Sequence, residues 1–180
     1  IKIDTSDVHF VTSASTPYSA QFTTSNIAST NDNSSYTYFT TSAANILFNG
    51  SGSPGEVVSY SNPQLYIQYP FTFNSSFSDN FGANYVSNGT PTVRTGSTTV
   101  TGDAWGTINL PIGSFANALR IKYIITTKDS SNPGTPVVTI TTNTSYVWMV
   151  PGKKYPVFEI VYSTLTFNGI LFASLKTVNY

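Results

Sequence analysis

The sequence predicts an all-β domain, an antiparallel β-sandwich or strongly curved sheet of about ten to twelve strands with little helix. Three observations carry that expectation. Aromatic residues make up 14% of the chain, with 12 Tyr, 12 Phe and 2 Trp beside abundant Thr and Val, which are the residues that fit a pleated, half-buried surface. Apolar residues alternate with polar ones in several segments, the mark of a strand with one face inward. Turn dipeptides separate those segments, with Asn88-Gly89 and Asn168-Gly169 the strongest.

The stretch from Gly102 to Lys122 reads as the organising centre. Pro111 fixes φ and Gly113 permits positive φ, so Pro111–Phe115 is expected to reverse the chain tightly. On its far side Leu119, Ile121 and Tyr123 alternate with Arg120 and Lys122. Trp105, Leu110, Leu119, Ile121, Trp148, Phe158 and Ile160 are the expected core.

From the N-terminus, Ile1–Val11 has β character and Tyr18–Thr23 reads as a second short strand. Ser25–Ser35 is a polar loop, Tyr36–Thr40 and Asn45–Phe48 are short apolar stretches, and Asn49–Gly55 is turn material. In Gln64–Phe73, Leu65, Ile67, Tyr69, Phe71 and Phe73 share one face, and Pro70 marks an edge or a break. Phe77–Val86 reads as a loop leading into a strand, with several loop residues around Asn88-Gly89. Thr92–Thr101 is a strand. Asp129–Pro136 is a turn-rich loop. Val137–Val150 is one long strand or a hairpin bent near Asn143. Tyr155–Phe167 is apolar on both parities, as in a central strand covered on both sides, and Asn168-Gly169 joins it to Ile170–Val178.

Composition bounds function as well. A chain of 180 residues without a tandem repeat is one domain, residues 1–180, able to bury roughly 70% of its unfolded surface. Cysteine is absent, which removes disulfides and thiolate metal sites. Only 9% of residues are charged and the net charge is zero, so no field attracts nucleic acid or an acidic membrane. No apolar run is long enough for a transmembrane helix. The chain starts at Ile1 rather than Met and shows no signal peptide, and it reads as a processed or trimmed form.

The order of motifs adds a resemblance. Asn74-Ser-Ser-Phe-Ser-Asp-Asn-Phe81, Arg94-Thr-Gly-Ser, Trp105-Gly-Thr-Ile-Asn-Leu-Pro-Ile-Gly-Ser-Phe-Ala-Asn-Ala-Leu-Arg-Ile-Lys122, Tyr146-Val-Trp148 and Lys154-Tyr-Pro-Val-Phe-Glu-Ile160 follow one another. In this order they resemble an uncharacterised secreted all-β domain of Bacteroidota, of the kind found upstream of type IX secretion sorting domains. The resemblance covers residues 71–162. It implies an all-β fold and export to the cell surface or medium, and it carries no catalytic residues. The chain ends at Tyr180 without a recognisable sorting domain, which is either removed or outside this sequence.

Candidate chemistry is sparse. His9 is the lone histidine, no Gly-x-Ser-x-Gly elbow accompanies it, and it reads as a strand or surface residue. One His and no Cys make zinc improbable. The acids are Glu56, Glu159 and six aspartates. Glu159, between Phe158 and Ile160, is expected to need Arg94, Arg120 or Lys122 as its partner if buried. Asp129-Ser-Ser-Asn-Pro-Gly134 and Asp79-Asn80 carry oxygens that suit calcium, but without EF-hand periodicity they read as turns. Asn33, Asn49, Asn74, Asn88 and Asn143 open Asn-x-Ser/Thr triplets, which chance supplies in a Ser/Thr-rich chain.

No catalytic, cofactor-binding or metal residue is therefore assigned, and no cofactor. The excess of tyrosines, among them Tyr36, Tyr38, Tyr66, Tyr69, Tyr123, Tyr146, Tyr155 and Tyr162, favours an adhesive or assembling face. The expected function is a non-enzymatic extracellular or cell-surface β module with a structural, adhesive or secretion-cargo role. The alternatives are a carbohydrate-binding module using two or three coplanar exposed aromatics and, behind it, a hydrolase. Expected partners are the secretion or surface-attachment machinery, copies of the chain itself, or glycans. Val137–Ser145 and Ile170–Ala173 contain no charge, so either segment could add a strand from another chain if it lay at a sheet edge.

Overall fold

A computed structural model describes residues 8–131, 136–153 and 155–179. Within the described residues, eleven antiparallel strands form one sheet in the order of the sequence, β1 through β11. They are β1 (His9–Thr12), β2 (Ile27–Thr30), β3 (Tyr36–Thr41), β4 (Asn45–Ser53), β5 (Glu56–Gln68), β6 (Ser76–Ser87), β7 (Thr90–Leu110), β8 (Gly113–Ser131), β9 (Val137–Met149), β10 (Phe158–Phe167) and β11 (Ile170–Asn179). Among the described residues, helix is confined to two single 3₁₀ turns, Ser13–Ser15 and Ser19–Gln21. The all-β class and the strand number agree with the sequence expectation.

The hairpin ends follow turn chemistry. Asn88 and Gly89 take φ of 49° and 80°, and Asn168 and Gly169 take 46° and 81°. Two successive positive φ values are what a type I′ turn demands, and its twist matches that of the flanking strands. The loop expected around Asn88 is therefore absent, and β6 runs directly into β7.

The meander folds over itself at β5. Only Tyr60↔Ala83 and Asn62↔Gly82 pair β5 with β6. Pro63 follows and has no N–H to continue the ladder. Side chains take over: Asn62 Nδ2 donates to the Asn80 carbonyl (2.6 Å), and the Leu65 N–H donates to Asp79 Oδ2 (2.7 Å). Beyond this narrow junction, Ile46 of β4, Ile67 of β5 and Phe71 pack on Val100, Ile121, Tyr123 and Val147 of β7–β9. Tyr66 stacks on Tyr123 with centroids 5.3 Å apart. The result is sandwich-like, and the sheet does not close into a barrel. A second, smaller core joins Phe22, Ala28 and Tyr38. There the Phe22 and Tyr38 rings lie 3.8 Å apart and nearly parallel, and the Tyr38 hydroxyl meets Thr16 Oγ1 at 2.6 Å.

Several local expectations change. Tyr18–Thr23 holds a 3₁₀ turn rather than a strand, and Ser25–Ser35 contains β2. Asn49–Ser53 continues β4, so the reversal shrinks to Pro54-Gly55. Phe77–Val86 is strand throughout, because its partner β7 supplies a ladder that local Ser, Asn and Gly do not advertise. Tyr155–Phe167 begins as strand only at Phe158 and is half-buried rather than covered on both sides. Of the Asp129–Pro136 loop, residues 129–131 belong to β8 and 132–135 lie outside the described residues, as does the Ile1–Asp7 part of the first strand.

The predicted core is only partly right. Ile121 is buried, whereas Leu110, Leu119, Trp148, Phe158 and Ile160 are half-buried. Trp105 is 63% exposed. Register shifts at Gly102/Ala104 and Gly106/Ile108 bracket Trp105, and the β4–β5 layer does not reach over it. Bulges of this kind re-aim side chains.

Candidate functional site

Alternation assigns the two faces of β8–β11. Cross-strand rows Ile121–Val147 and Tyr123–Ser145 lie on the covered side. The rows Arg120–Trp148–Phe158, Lys122–Tyr146–Ile160 and Ile124–Thr144–Tyr162–Lys176 lie on the opposite side, which no layer formed by the described residues covers. Period-2 geometry thus gathers residues from four strands into one surface.

Rings and cations interleave there. The Arg120 guanidinium sits 5.3 Å from the Tyr146 ring centroid and 5.7 Å from that of Trp148. Lys122 Nζ lies 5.7 Å from Tyr146, and Lys176 Nζ lies 5.4 Å from the Tyr162 ring. These are cation–π distances. Asp103, at the first β7 bulge, accepts from Arg120 Nε (2.8 Å) and Nη2 (3.2 Å). The Asp103 bonds raise the Arg120 value above its usual range, outweighing the opposing effect of burial. Its charge is thus fixed and its plane is held across the rings.

Arg120, Thr144, Tyr146, Trp148, Ile160 and Tyr162 line a shallow groove of about 570 Å³. Its rings are not coplanar: Tyr146 and Tyr162 meet edge to face at 89°, and Trp148 and Phe158 are tilted by 53°. The coplanar platform expected of a carbohydrate module is thus replaced by a ridged groove. On the covered face, Phe71, Phe73, Trp105, Leu119, Met149 and Pro151 help line an apolar cleft of about 610 Å³ at the end of the sandwich.

Apart from Asp103, which holds Arg120, the acids among the described residues contribute nothing to the two linings. Arg94 Nε and Nη2 each donate to Asp129 at 2.7 Å, and its Nη atoms donate to Tyr60 and Tyr85 hydroxyls at 3.3 Å. Burial works against the Arg94 charge, but the bonds it donates to Asp129 and Tyr60 outweigh that effect and raise its value. Glu159 does not meet Arg94, Arg120 or Lys122. Its Oε2 accepts from Asn179 Nδ2 at 2.9 Å, and both arginines are committed to aspartates. Asp79 serves the β5 backbone. His9 is exposed on β1. Among the described residues no three His, Cys, Asp or Glu side chains gather as a metal site, and no helix is long and apolar enough to cross a membrane.

The tyrosines divide. Tyr38 and Tyr123 are buried, whereas Tyr66, Tyr69, Tyr155 and Tyr162 are exposed. Sequence reading missed Asp103 and the cation–aromatic rows. Their signal was the shared parity of Arg120 and Lys122 with Tyr146 and Trp148, which becomes informative only when the register between strands is known. No family model matches the chain, and neither the curated proteins nor the solved structures contain a match.

Proposed function

We propose that the chain is a non-enzymatic, extracellular β module with an adhesive or structural role, and that the aromatic face of β8–β11 is its contact surface. One observation carries the reading. Tyr146, Trp148 and Tyr162 stand on the uncovered side of a sheet that already has a sandwich core on its other side. Folding does not require three large rings on an open face, and Tyr and Trp are the residues that supply contact energy at interfaces. The low charge and the Ser/Thr-rich remainder suit a secreted or surface-exposed scaffold, and the resemblance to secreted Bacteroidota domains points to the same location.

The test is adsorption of the purified protein to protein-coated and polysaccharide-coated sensor surfaces. Wild type is expected to adsorb, and Trp148→Ala with Tyr162→Ala to lose most of the signal while circular dichroism stays unchanged. Equal adsorption by the folded double variant would remove this face from the function.

A second reading, glycan binding, has its own support. Lys122 and Lys176 flank the rings, whereas the two ion pairs among the described residues use Arg94 and Arg120. Rings beside two cations that stand outside those ion pairs suit an acidic polysaccharide better than a neutral one. Electrophoresis through gels containing polygalacturonate should retard wild type more than gels with hydroxyethyl cellulose, and Lys122→Ala with Lys176→Ala should abolish the difference. Equal mobility in both gels would exclude this reading.

A further inference from the structure

β11 ends the sheet, with β10 on one side and no described strand on the other. All ten of its residues are exposed. Ile170, Leu171, Phe172 and Leu175 are 74%, 62%, 77% and 63% exposed. The opposite edge, β1, is four residues long and offers little to pair with. Val137–Ser145, the other uncharged segment, lies in β9 and is paired on both sides, so it has no free edge.

Edge strands are ordinarily guarded by lysine, proline, bulges or brevity. β11 is guarded only weakly. It contains no proline, and its one charge, Lys176, turns over the Tyr162 ring of the neighbouring strand. The single bulge falls near the hairpin end, where Phe172 has no partner between Leu171 and Ala173. Ala173–Asn179 is left as a regular seven-residue run. On such an edge every second residue directs its N–H and C=O outward, unpaired.

We propose that β11 is the pairing edge of a symmetric dimer of this chain, in which two β11 strands add to each other antiparallel and join two sheets into one. A two-fold axis requires one surface that complements itself, and an antiparallel pair of identical strands satisfies this by construction. A register centred on Leu175 sets Leu175 against Leu175 of the second copy. It also sets Lys176 against Ser174, so the two lysines avoid each other. The four apolar residues leave on the order of 500 Å² exposed per copy, apolar surface that flanks the joined edge and is partly shielded from water when two such strands pair. The pairing is independent of whatever the aromatic face of β8–β11 binds.

The chain has no cysteine, so single cysteines report the register cleanly. Sedimentation velocity from micromolar to sub-millimolar protein should show a monomer–dimer equilibrium. Under mild oxidation Leu175→Cys should form covalent dimer on the order of ten-fold faster than Ile112→Cys, an exposed position on the β7–β8 turn, because pairing raises the effective concentration of the thiols. Leu171→Lys with Leu175→Lys should sediment as monomer with unchanged circular dichroism. A wild type that stays monomeric throughout, or equal crosslinking at positions 175 and 112, overturns the proposal. The cysteine comparison decides it even if the lysine variant does not fold.

Discussion

Removal of the Asp129 carboxylate tests how the long β7–β8 hairpin is held at its far end. Arg94 and Asp129 face each other across the β7–β8 ladder, and their side chains are 22% and 25% exposed. Asp129→Ala takes away both short bonds and leaves the guanidinium with two tyrosine hydroxyls at 3.3 Å and the Tyr85 ring at 5.2 Å. Breaking a buried pair costs about 3–5 kcal/mol, and an exposed pair contributes about 0.2–1 kcal/mol. The exposures put this pair between those limits, so a loss of about 2 kcal/mol is expected. In a domain of this size that lowers Tm by roughly 4–8 °C. Asp129→Asn retains a neutral acceptor and should lose about half as much. Urea unfolding followed by tryptophan fluorescence supplies the values, with Arg94→Met and the double variant closing the cycle. A loss under about 0.5 kcal/mol, or a loss unchanged when Arg94 is already Met, would refute the argument that the pair is shielded from water.

Other expectations follow from burial and titration. Trp105, at 63% exposed, shields only about 90 Å² of its surface, so Trp105→Ala should cost about 2 kcal/mol at most. Ile121→Ala, at 3% exposed, should cost about 2–5 kcal/mol, and a reversed order in urea unfolding would contradict the placement of the core. Burial, reinforced by Tyr66, raises the Tyr123 hydroxyl well above its ordinary value. The unfolded chain then releases this proton near pH 10 while the folded one keeps it. Stability is complete below about pH 10 and falls as pH rises beyond it. Tyr123→Phe should lessen that alkaline loss, and an identical slope in both proteins would count against it. His9→Ala should leave adsorption, dimerisation and stability unchanged, because His9 is exposed on a four-residue strand.

The sequence by itself determined the class, the approximate number of strands and the positions of the two Asn-Gly turns. Period-2 alternation and Asn-Gly dipeptides are local: they depend on side-chain direction and on φ values that few residues tolerate. It misplaced elements whose strand character comes from a partner. Phe77–Val86 is rich in Ser, Asn and Gly and becomes strand because β7 lies beside it. Asn49–Ser53 behaves the same way between β3 and β5. Tertiary structure alone decided which apolar residues are core. Trp105 and Ile121 look equally eligible in one dimension, but the β4–β5 layer covers Ile121 and stops short of Trp105. It also decided which uncharged segment is an edge, placing Val137–Ser145 inside the sheet and Ile170–Ala173, in β11, at its margin. The aromatic face needed both levels. Parity put Arg120, Lys122, Tyr146 and Trp148 on consistent sides of their own strands. The register between β8, β9 and β10 then set them side by side, and register is a property of paired strands that no single segment encodes.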